Sequence, residues 1–109
     1  SRNESVDSCL SAFNVLTRSY SSLIEKGIYE EKLTKSISVK SFALVRVVVR
    51  CGDVCTAKSM QRIRLGLGLP EHEGRIVVKK LYRTLGYGHF MVELERLISV
   101  VNRIRSHGV

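Results

Sequence analysis

Apolar residues recur along most of this chain at intervals of three and four positions, which is the period of an α-helix with one buried face. The pattern first runs from Val6 to Ile24, and Asp7 or Ser8 stands where a helix cap is expected. Gly27 interrupts it, and a shorter pattern from Tyr29 to Ile37 predicts a second helix. The two helices are predicted to pack as a first antiparallel hairpin.

The next segment, Phe42 to Arg50, is rich in β-branched residues and fits two structures. As a strand, it would place its odd-numbered positions on one face. As a helix, it would turn Phe42 and Val49 inward. Arg46 and Arg50 would then lie one turn apart on the outside. We favour the helix because the neighbouring segments on both sides have helical patterns.

A third turn and a fourth helix follow. Gly52-Asp53 is predicted to end the third helix, and the Asp53 carboxylate is placed to accept the first free amides of the next one. The predicted inner face of that fourth helix consists of Val54, Ala57, Met60, Ile63 and Leu67. A glycine-rich loop around Pro70 comes next, since proline has no amide hydrogen and cannot continue a helix.

Two further helical patterns run from Val77 to Leu85 and from Met91 to Ile104. Gly86 and Gly88 lie between them and are predicted to end the fifth helix. We therefore expect one all-α domain over residues 1–109, with about six helices arranged as three antiparallel hairpins in a short α-solenoid or a helical bundle. The chain does not begin with Met, and we expect it to be a fragment of a longer protein.

The middle of the chain combines an apolar helix, a glycine turn, a second helix with a small residue, and an exit through glycine and proline. These features stand in Ser41 to Pro70, SFALVRVVVRCGDVCTAKSMQRIRLGLGLP. The segment resembles a pentatricopeptide or tetratricopeptide hairpin. The resemblance implies a right-handed stack of hairpins whose concave face binds RNA or an extended peptide. Where base-reading members of the family place polar side chains, this sequence has Phe42, Ala43 and Leu44, which argues against a one-base-per-repeat code.

Composition narrows the class of protein. With 109 residues, of which 44% are hydrophobic and 26% charged, the chain is long enough for one globular domain with a modest core. Its longest apolar run, Phe42 to Val49, contains Arg46 and is too short to cross a bilayer. Cys9, Cys51 and Cys55 are too few, and odd in number, for a disulfide framework. We therefore expect an intracellular protein, nuclear or cytoplasmic, without a membrane segment.

Positive charge is concentrated in the middle of the chain, whose formal net charge is +8. From Lys40 to Arg83 there are ten Lys and Arg residues against three acidic ones, whereas both ends are nearly neutral. Several of these cations stand four positions apart, so each pair would lie about one turn apart on the same helix face. Such a surface attracts phosphate groups or an acidic protein. The candidate contact residues are Arg46, Arg50, Lys58, Arg62, Arg75, Lys79, Lys80 and Arg83.

Candidate catalytic and metal-binding residues are sparse. Cys51 and Cys55, with His72 or His89, would supply zinc ligands, but their spacing is not Cys-x2-Cys and no second cysteine pair follows. The two histidines have glutamates nearby, yet neither lies in a known catalytic motif. We therefore predict no enzyme activity, no metal site and no cofactor.

Two functions remain. The first is a non-enzymatic adaptor or oligomerisation module that binds a protein partner, within a ribonucleoprotein or chromatin assembly, through apolar surface that the helices leave uncovered. Val47, Leu65 and Leu69 are among the residues expected on that surface. The alternative is an RNA- or DNA-binding module that uses the basic face between Lys40 and Arg83. Protein binding ranks first because it requires only a surface, whereas nucleic-acid binding requires cations of several helices to align.

Overall fold

The computed structural model describes the backbone of residues 4–71 and 75–107, and the side chains of residues 6–71 and 87–107. These residues form four α-helices and contain no β-strand. The helices are α1 (Glu4–Glu25), α2 (Glu31–Arg50), α3 (Val54–Gly66) and α4 (Arg75–His107). The all-α fold class is thus confirmed. The helical structure of the segment from Phe42 to Arg50, which lies within α2, is confirmed as well.

The number of helices differs from the prediction. α2 runs without a break through the region where a second helix was expected to end and a third to begin. α4 likewise joins the predicted fifth and sixth helices into one helix of 33 residues. The prediction of about six helices in three hairpins is therefore wrong, because the described residues form four helices. The predicted hairpin around Gly52 is present as α2 and α3.

The serines of α2 do not break the helix, because its buried stripe continues through them. Ile37 and Leu44 are fully buried, and so are Ser38 and Ser41, which lie between them. The Ser41 hydroxyl donates to the Ser38 carbonyl oxygen at 3.2 Å, a bond that helical serines commonly form. A polar residue can therefore lie on the buried side of a helix when its hydroxyl has a partner.

Gly86 and Gly88 lie inside α4 rather than at a helix boundary. A glycine in a helix interior costs roughly 1 kcal/mol relative to alanine, which is a small penalty. The part of α4 after Gly88 contains Phe90, Leu94 and Leu97, whose side chains are almost completely buried. Burial of one such side chain is worth about 1.5 to 3 kcal/mol. Packing therefore outweighs the two glycine penalties, and the helix continues.

Glycines with positive φ end the first three helices in the same way. Gly27, Gly52 and Gly68 have φ angles of 76°, 89° and 81°. After α2, the Gly52 amide donates to the Val49 carbonyl oxygen at 2.9 Å, and the Asp53 amide donates to the Val48 carbonyl oxygen at 3.3 Å. This is the Schellman motif, in which glycine adopts a left-handed conformation that other residues avoid. The turns predicted at Gly27 and Gly52 are confirmed.

The start of α3 is capped by Asp53, as predicted. Its carboxylate accepts the Thr56 amide at 3.1 Å and the Thr56 hydroxyl at 2.7 Å, which satisfies one of the amides that a helix start leaves unpaired. The predicted cap of α1 at Asp7 or Ser8 is wrong. α1 already begins at Glu4, so both residues lie inside the helix.

The four helices pack as one bundle around a shared core. α4 packs against both α1 and α2, whereas α3 packs mainly against α2 and therefore lies at the edge. One buried apolar cluster takes residues from every helix, among them Phe13, Leu44, Met60 and Leu94. No described helix combines the length and the apolar character that crossing a membrane requires.

Candidate interaction surface

α3 lies at the edge of the bundle and is buried on one side only. The inner side, Ala57, Met60 and Arg64, packs against α2. We call the opposite side the α3 outer face, and its exposed residues are Val54, Cys55, Lys58, Ser59, Arg62, Ile63 and Leu65. Its three aliphatic side chains are 41 to 49% exposed. One short helix therefore presents apolar and cationic groups together.

Arg64 is the largest fully buried side chain among the described residues. Its Nε donates to Ser41 Oγ at 2.8 Å, and its Nη2 donates to the Ser38 carbonyl oxygen at 3.0 Å. Its Nη1 donates to Gln61 Oε1 at 2.7 Å. The guanidinium carbon lies 5.2 Å from the centroid of the Phe42 ring, a distance at which a ring face attracts a cation. Arg64 thus connects α3 to three residues of α2.

These contacts determine how α3 is rotated on α2. A buried guanidinium group must keep its hydrogen bonds, so turning α3 about its axis would cost the free energy of several of them. At 100° per residue, Lys58 and Arg62 lie roughly 120° and 160° around the helix from Arg64. The inward position of Arg64 therefore directs both cations outward.

Sequence reasoning misses Arg64 because the apolar pattern assigns Ile63 to the inner side of α3. Ile63 is 41% exposed, so that assignment is wrong. The sequence does contain a signal that Arg64 faces inward. Arg64 stands four residues after Met60, so the two share one side of the helix. Ser38 and Ser41 also interrupt the apolar stripe of α2, and buried hydroxyls require polar partners.

Other apolar positions also differ from the prediction. Val49 and Val54 are 42% and 49% exposed, so their predicted inward positions are wrong. Leu69, expected on the uncovered surface, is only 3% exposed. The Schellman turn folds it back, and its amide donates to the Arg64 carbonyl oxygen at 3.0 Å. Leu65 is exposed, as predicted.

Several of the predicted cations lie at the surface. Lys58 and Arg62 are exposed on α3, one turn apart. Arg50 is exposed at the end of α2, and Arg46 is half-buried. Within the described residues, none of these four side chains makes an ion pair or a hydrogen bond. The candidates whose side chains lie outside the described residues are Arg75, Lys79, Lys80 and Arg83.

An open groove of about 300 Å³ lies between α1 and α3, beside the α3 outer face. Its lining residues are Asn14, Thr17, Arg18, Ser21, Ile63, Gly66 and Leu67. The Thr17 hydroxyl is bonded within α1, since it donates to the Phe13 carbonyl oxygen at 2.9 Å. Arg18 is exposed and adds a cation from a part of the chain whose net charge is near zero.

Glu93 of α4 lies among three basic groups. It accepts a hydrogen bond from Arg96 Nε at 2.8 Å and lies 3.9 Å from both Lys40 Nζ and His89 Nε2. The Arg96 bond, helped by the neighbouring positive charges, lowers the pKa of Glu93. His89, one of the two histidines considered as catalytic candidates, thus lies beside Glu93. The other, His72, lies outside the described residues.

All three cysteines are free: Cys9 is buried, Cys51 is half-buried and Cys55 is exposed. Burial raises the pKa of Cys9 to about 11. Cys51 Sγ lies 3.9 Å from the Tyr87 hydroxyl, and burial together with this contact raises the pKa of Tyr87. Within the described part of the chain, no group of three or more His, Cys, Asp or Glu side chains is arranged to hold a metal ion.

No family model, curated protein or solved structure matches this chain. On the α3 outer face, two predicted cations and three exposed aliphatic side chains occur on one helix.

Proposed function

We propose that this chain is a non-enzymatic helical adaptor or oligomerisation module that binds a protein partner within an intracellular ribonucleoprotein or chromatin assembly. The observation that carries the proposal is the α3 outer face. There, Val54, Ile63 and Leu65 remain 41 to 49% exposed on a helix of only 13 residues. Exposed aliphatic side chains at three positions of so short a helix favour a surface that another molecule covers.

The aliphatic side chains of this face would supply a useful share of a binding free energy. Complete burial of one such side chain is worth about 1.5 to 3 kcal/mol, so covering its exposed half contributes roughly 1 kcal/mol. Three of them together would contribute roughly 3 kcal/mol. That free energy corresponds to a factor of about 100 in the dissociation constant.

α3 also has the rigidity that favours binding. The Asp53 cap holds its first turn and the Schellman turn at Gly68 holds its last, while Arg64 sets its rotation. A partner that binds this helix therefore does not have to order it, and the entropic cost of association is correspondingly smaller.

The α2–α3 hairpin covers most of the segment from Ser41 to Pro70, on which the resemblance to pentatricopeptide and tetratricopeptide hairpins rests. The resemblance remains a prediction. It implies binding of RNA or of an extended peptide, and the second of these alternatives supports the proposal.

A set of serine substitutions tests the proposal. V54S, I63S and L65S, combined in one variant, remove the apolar groups of the α3 outer face. A matched control combines V15S and V92S, whose parent side chains are 45% and 62% exposed on other helices. Light scattering would measure self-association, and a pull-down after nuclease treatment would measure partner capture, in low and high salt.

We expect the α3 variant to lose self-association or partner capture while the control retains it. Binding should persist in high salt because apolar contacts are not screened. Equal behaviour of the two variants, or a parent chain that stays monomeric and captures no protein, would contradict the proposal.

RNA or DNA binding is the second candidate. It is favoured by Lys58 and Arg62, which are exposed one turn apart and make no ion pair among the described residues. Fluorescence anisotropy at low salt would test it, with K58E/R62E as the variant. Nucleic-acid binding predicts an affinity that falls steeply with salt and is lost in this variant. Absence of association at low salt excludes it.

A further inference from the structure

We infer that the partner that covers the α3 outer face is an acidic amphipathic helix. This inference rests on the proposed function and specifies the chemistry of the partner. It is drawn from the order of apolar and cationic side chains along α3, from the lack of ion pairs there within the described residues, and from the length of the face.

Four residues of the outer face form a single stripe. At 100° per residue, Val54, Lys58, Arg62 and Leu65 fall within roughly 80° of one another around the helix axis. The stripe therefore has an aliphatic side chain at each end and two cations one turn apart between them. Val54 and Leu65 are eleven residues apart, which is roughly 16 Å along the axis.

The complement of this stripe is a segment with two carboxylates one turn apart, enclosed by two apolar residues about three turns apart. Such a spacing is natural for one face of a helix, where residues three and four positions apart are neighbours. A helix of about four turns would cover the stripe from end to end. Its carboxylates would pair with Lys58 and Arg62, and its apolar residues would cover Val54 and Leu65.

A second copy of the chain is a poor occupant of the stripe. Two-fold pairing of identical helices about the centre of the stripe would bring Lys58 of one copy against Arg62 of the other. Like charges one helical turn apart destabilise a helix surface, and the same repulsion opposes this pairing. An acidic helix therefore covers the stripe better than a second copy does.

Nucleic acid is also a poorer match than an acidic helix. Single-stranded nucleic acid binds through cations combined with aromatic side chains on which bases stack, and α3 contains no aromatic residue. Phosphates would pair with Lys58 and Arg62 but leave Val54 and Leu65 uncovered. An amphipathic helix satisfies both kinds of side chain at once.

Three designed peptides test the inference. Each is an alanine-based helix with two leucines eleven positions apart and, between them, two glutamates, two glutamines or two lysines four positions apart. Anisotropy of the labelled peptides, titrated with the intact chain at low salt, measures their affinities. We expect the glutamate peptide to bind about tenfold more tightly than the glutamine peptide, in line with two exposed ion pairs. That difference should shrink at high salt.

Charge reversal in the protein provides the second arm. K58E/R62E should bind the lysine peptide in preference to the glutamate peptide. K35E/R103E is the matched control, since it changes the net charge equally at exposed positions of α2 and α4 and should leave the preference unaltered. The exposed thiol of Cys55, on the same face, should be alkylated more slowly when the glutamate peptide is bound.

The outcomes separate this inference from the proposed function. Equal affinity for the glutamate and glutamine peptides, lost in V54S/L65S, would overturn the acidic partner and leave protein binding in place. Binding of a single-stranded oligonucleotide that depends on Lys58 and Arg62, with no binding of any peptide, would overturn both in favour of nucleic acid. A monomeric chain that binds none of the probes and captures no protein would also overturn both.

Discussion

Among single residues, Arg64 shows how a polar side chain can organise an apolar interior. Arginine is rarely buried completely unless its donors are used. Here Nε, Nη1 and Nη2 all donate, to two serines of α2 and to Gln61. The planar fork of the guanidinium group fits partners at fixed angles, which the point charge of lysine does not.

Loss of Arg64 should destabilise the fold strongly. We expect R64A to lower the free energy of unfolding by about 3 kcal/mol, because Ser38 and Ser41 would lose a buried partner and a cavity would remain. R64K should recover only part of that loss. Urea denaturation followed by circular dichroism would measure it. R62A, two residues earlier and exposed, should change stability by less than about 0.5 kcal/mol. Equal effects of R62A and R64A would contradict the role assigned to Arg64.

Cys9 should make the fold sensitive to alkaline pH. Its pKa is raised by burial from 9.0 to about 11, so between these values the unfolded chain releases a proton that the folded chain keeps. Stability contributed by the neutral thiol is complete below pH 9 and falls as pH rises towards 11. The difference in unfolding free energy between the parent chain and C9A should fall by about 2 to 3 kcal/mol over this range. A difference that stays constant from pH 8 to 11 would contradict the prediction.

At the scale of helices, glycines have opposite roles in α2 and α4. Gly52 has a φ of 89° and ends α2 through two backbone hydrogen bonds. Gly88 lies inside α4, and a Cβ atom there would meet nothing within 4 Å. The local sequence of both positions suggests a turn. After Gly52, Asp53 caps a new helix, whereas the buried side chains that follow Gly88 pack as part of the same helix.

Two alanine substitutions should therefore have opposite signs. G52A should destabilise the chain by roughly 1 kcal/mol or more, because alanine is strained in the left-handed region. G88A should stabilise it by roughly 0.5 to 1 kcal/mol, because alanine is the better helix former. Thermal unfolding followed by circular dichroism would measure both. Destabilisation by G88A would contradict a continuous helix at this position.

For the molecule as a whole, the decisive contact is that of α4 with α1 and α2. It places the last helix beside the first, so the elements share one buried cluster. In a solenoid each hairpin contacts only its neighbours, and stability is a sum of local terms. In a bundle whose helices share one core, a defect in one helix weakens the others.

L94A tests this cooperativity. Leu94 is fully buried, and its truncation should lower the free energy of unfolding by about 2 to 5 kcal/mol. We expect one unfolding transition, with amides of α1, α2 and α4 losing protection from hydrogen exchange together. V92A, at a position 62% exposed on the same helix, serves as the control and should change little. Protection lost in α4 alone would show that the helices are stabilised independently.

The amino-acid pattern alone predicts the all-α class, the turns at Gly27 and Gly52 and the Asp53 cap. These features depend on interactions within four or five residues, such as helical periodicity, a left-handed glycine and a side chain bonded to a nearby amide. The same local rules identified Lys58 and Arg62 as exposed cations four positions apart.

The number of helices and the side of α3 that faces outward depend on packing between helices. Serines and glycines interrupt the local pattern in α2 and α4. The helices continue because distant residues bury Ile37 and Leu44 around the serines and Phe90 and Leu94 after the glycines. The rotation of α3 depends on bonds from Arg64 to Ser38 and Ser41, 26 and 23 residues away in the chain. A pattern confined to one helix carries no information about a partner that distant, so the α3 outer face emerges only when α2 and α3 are packed together.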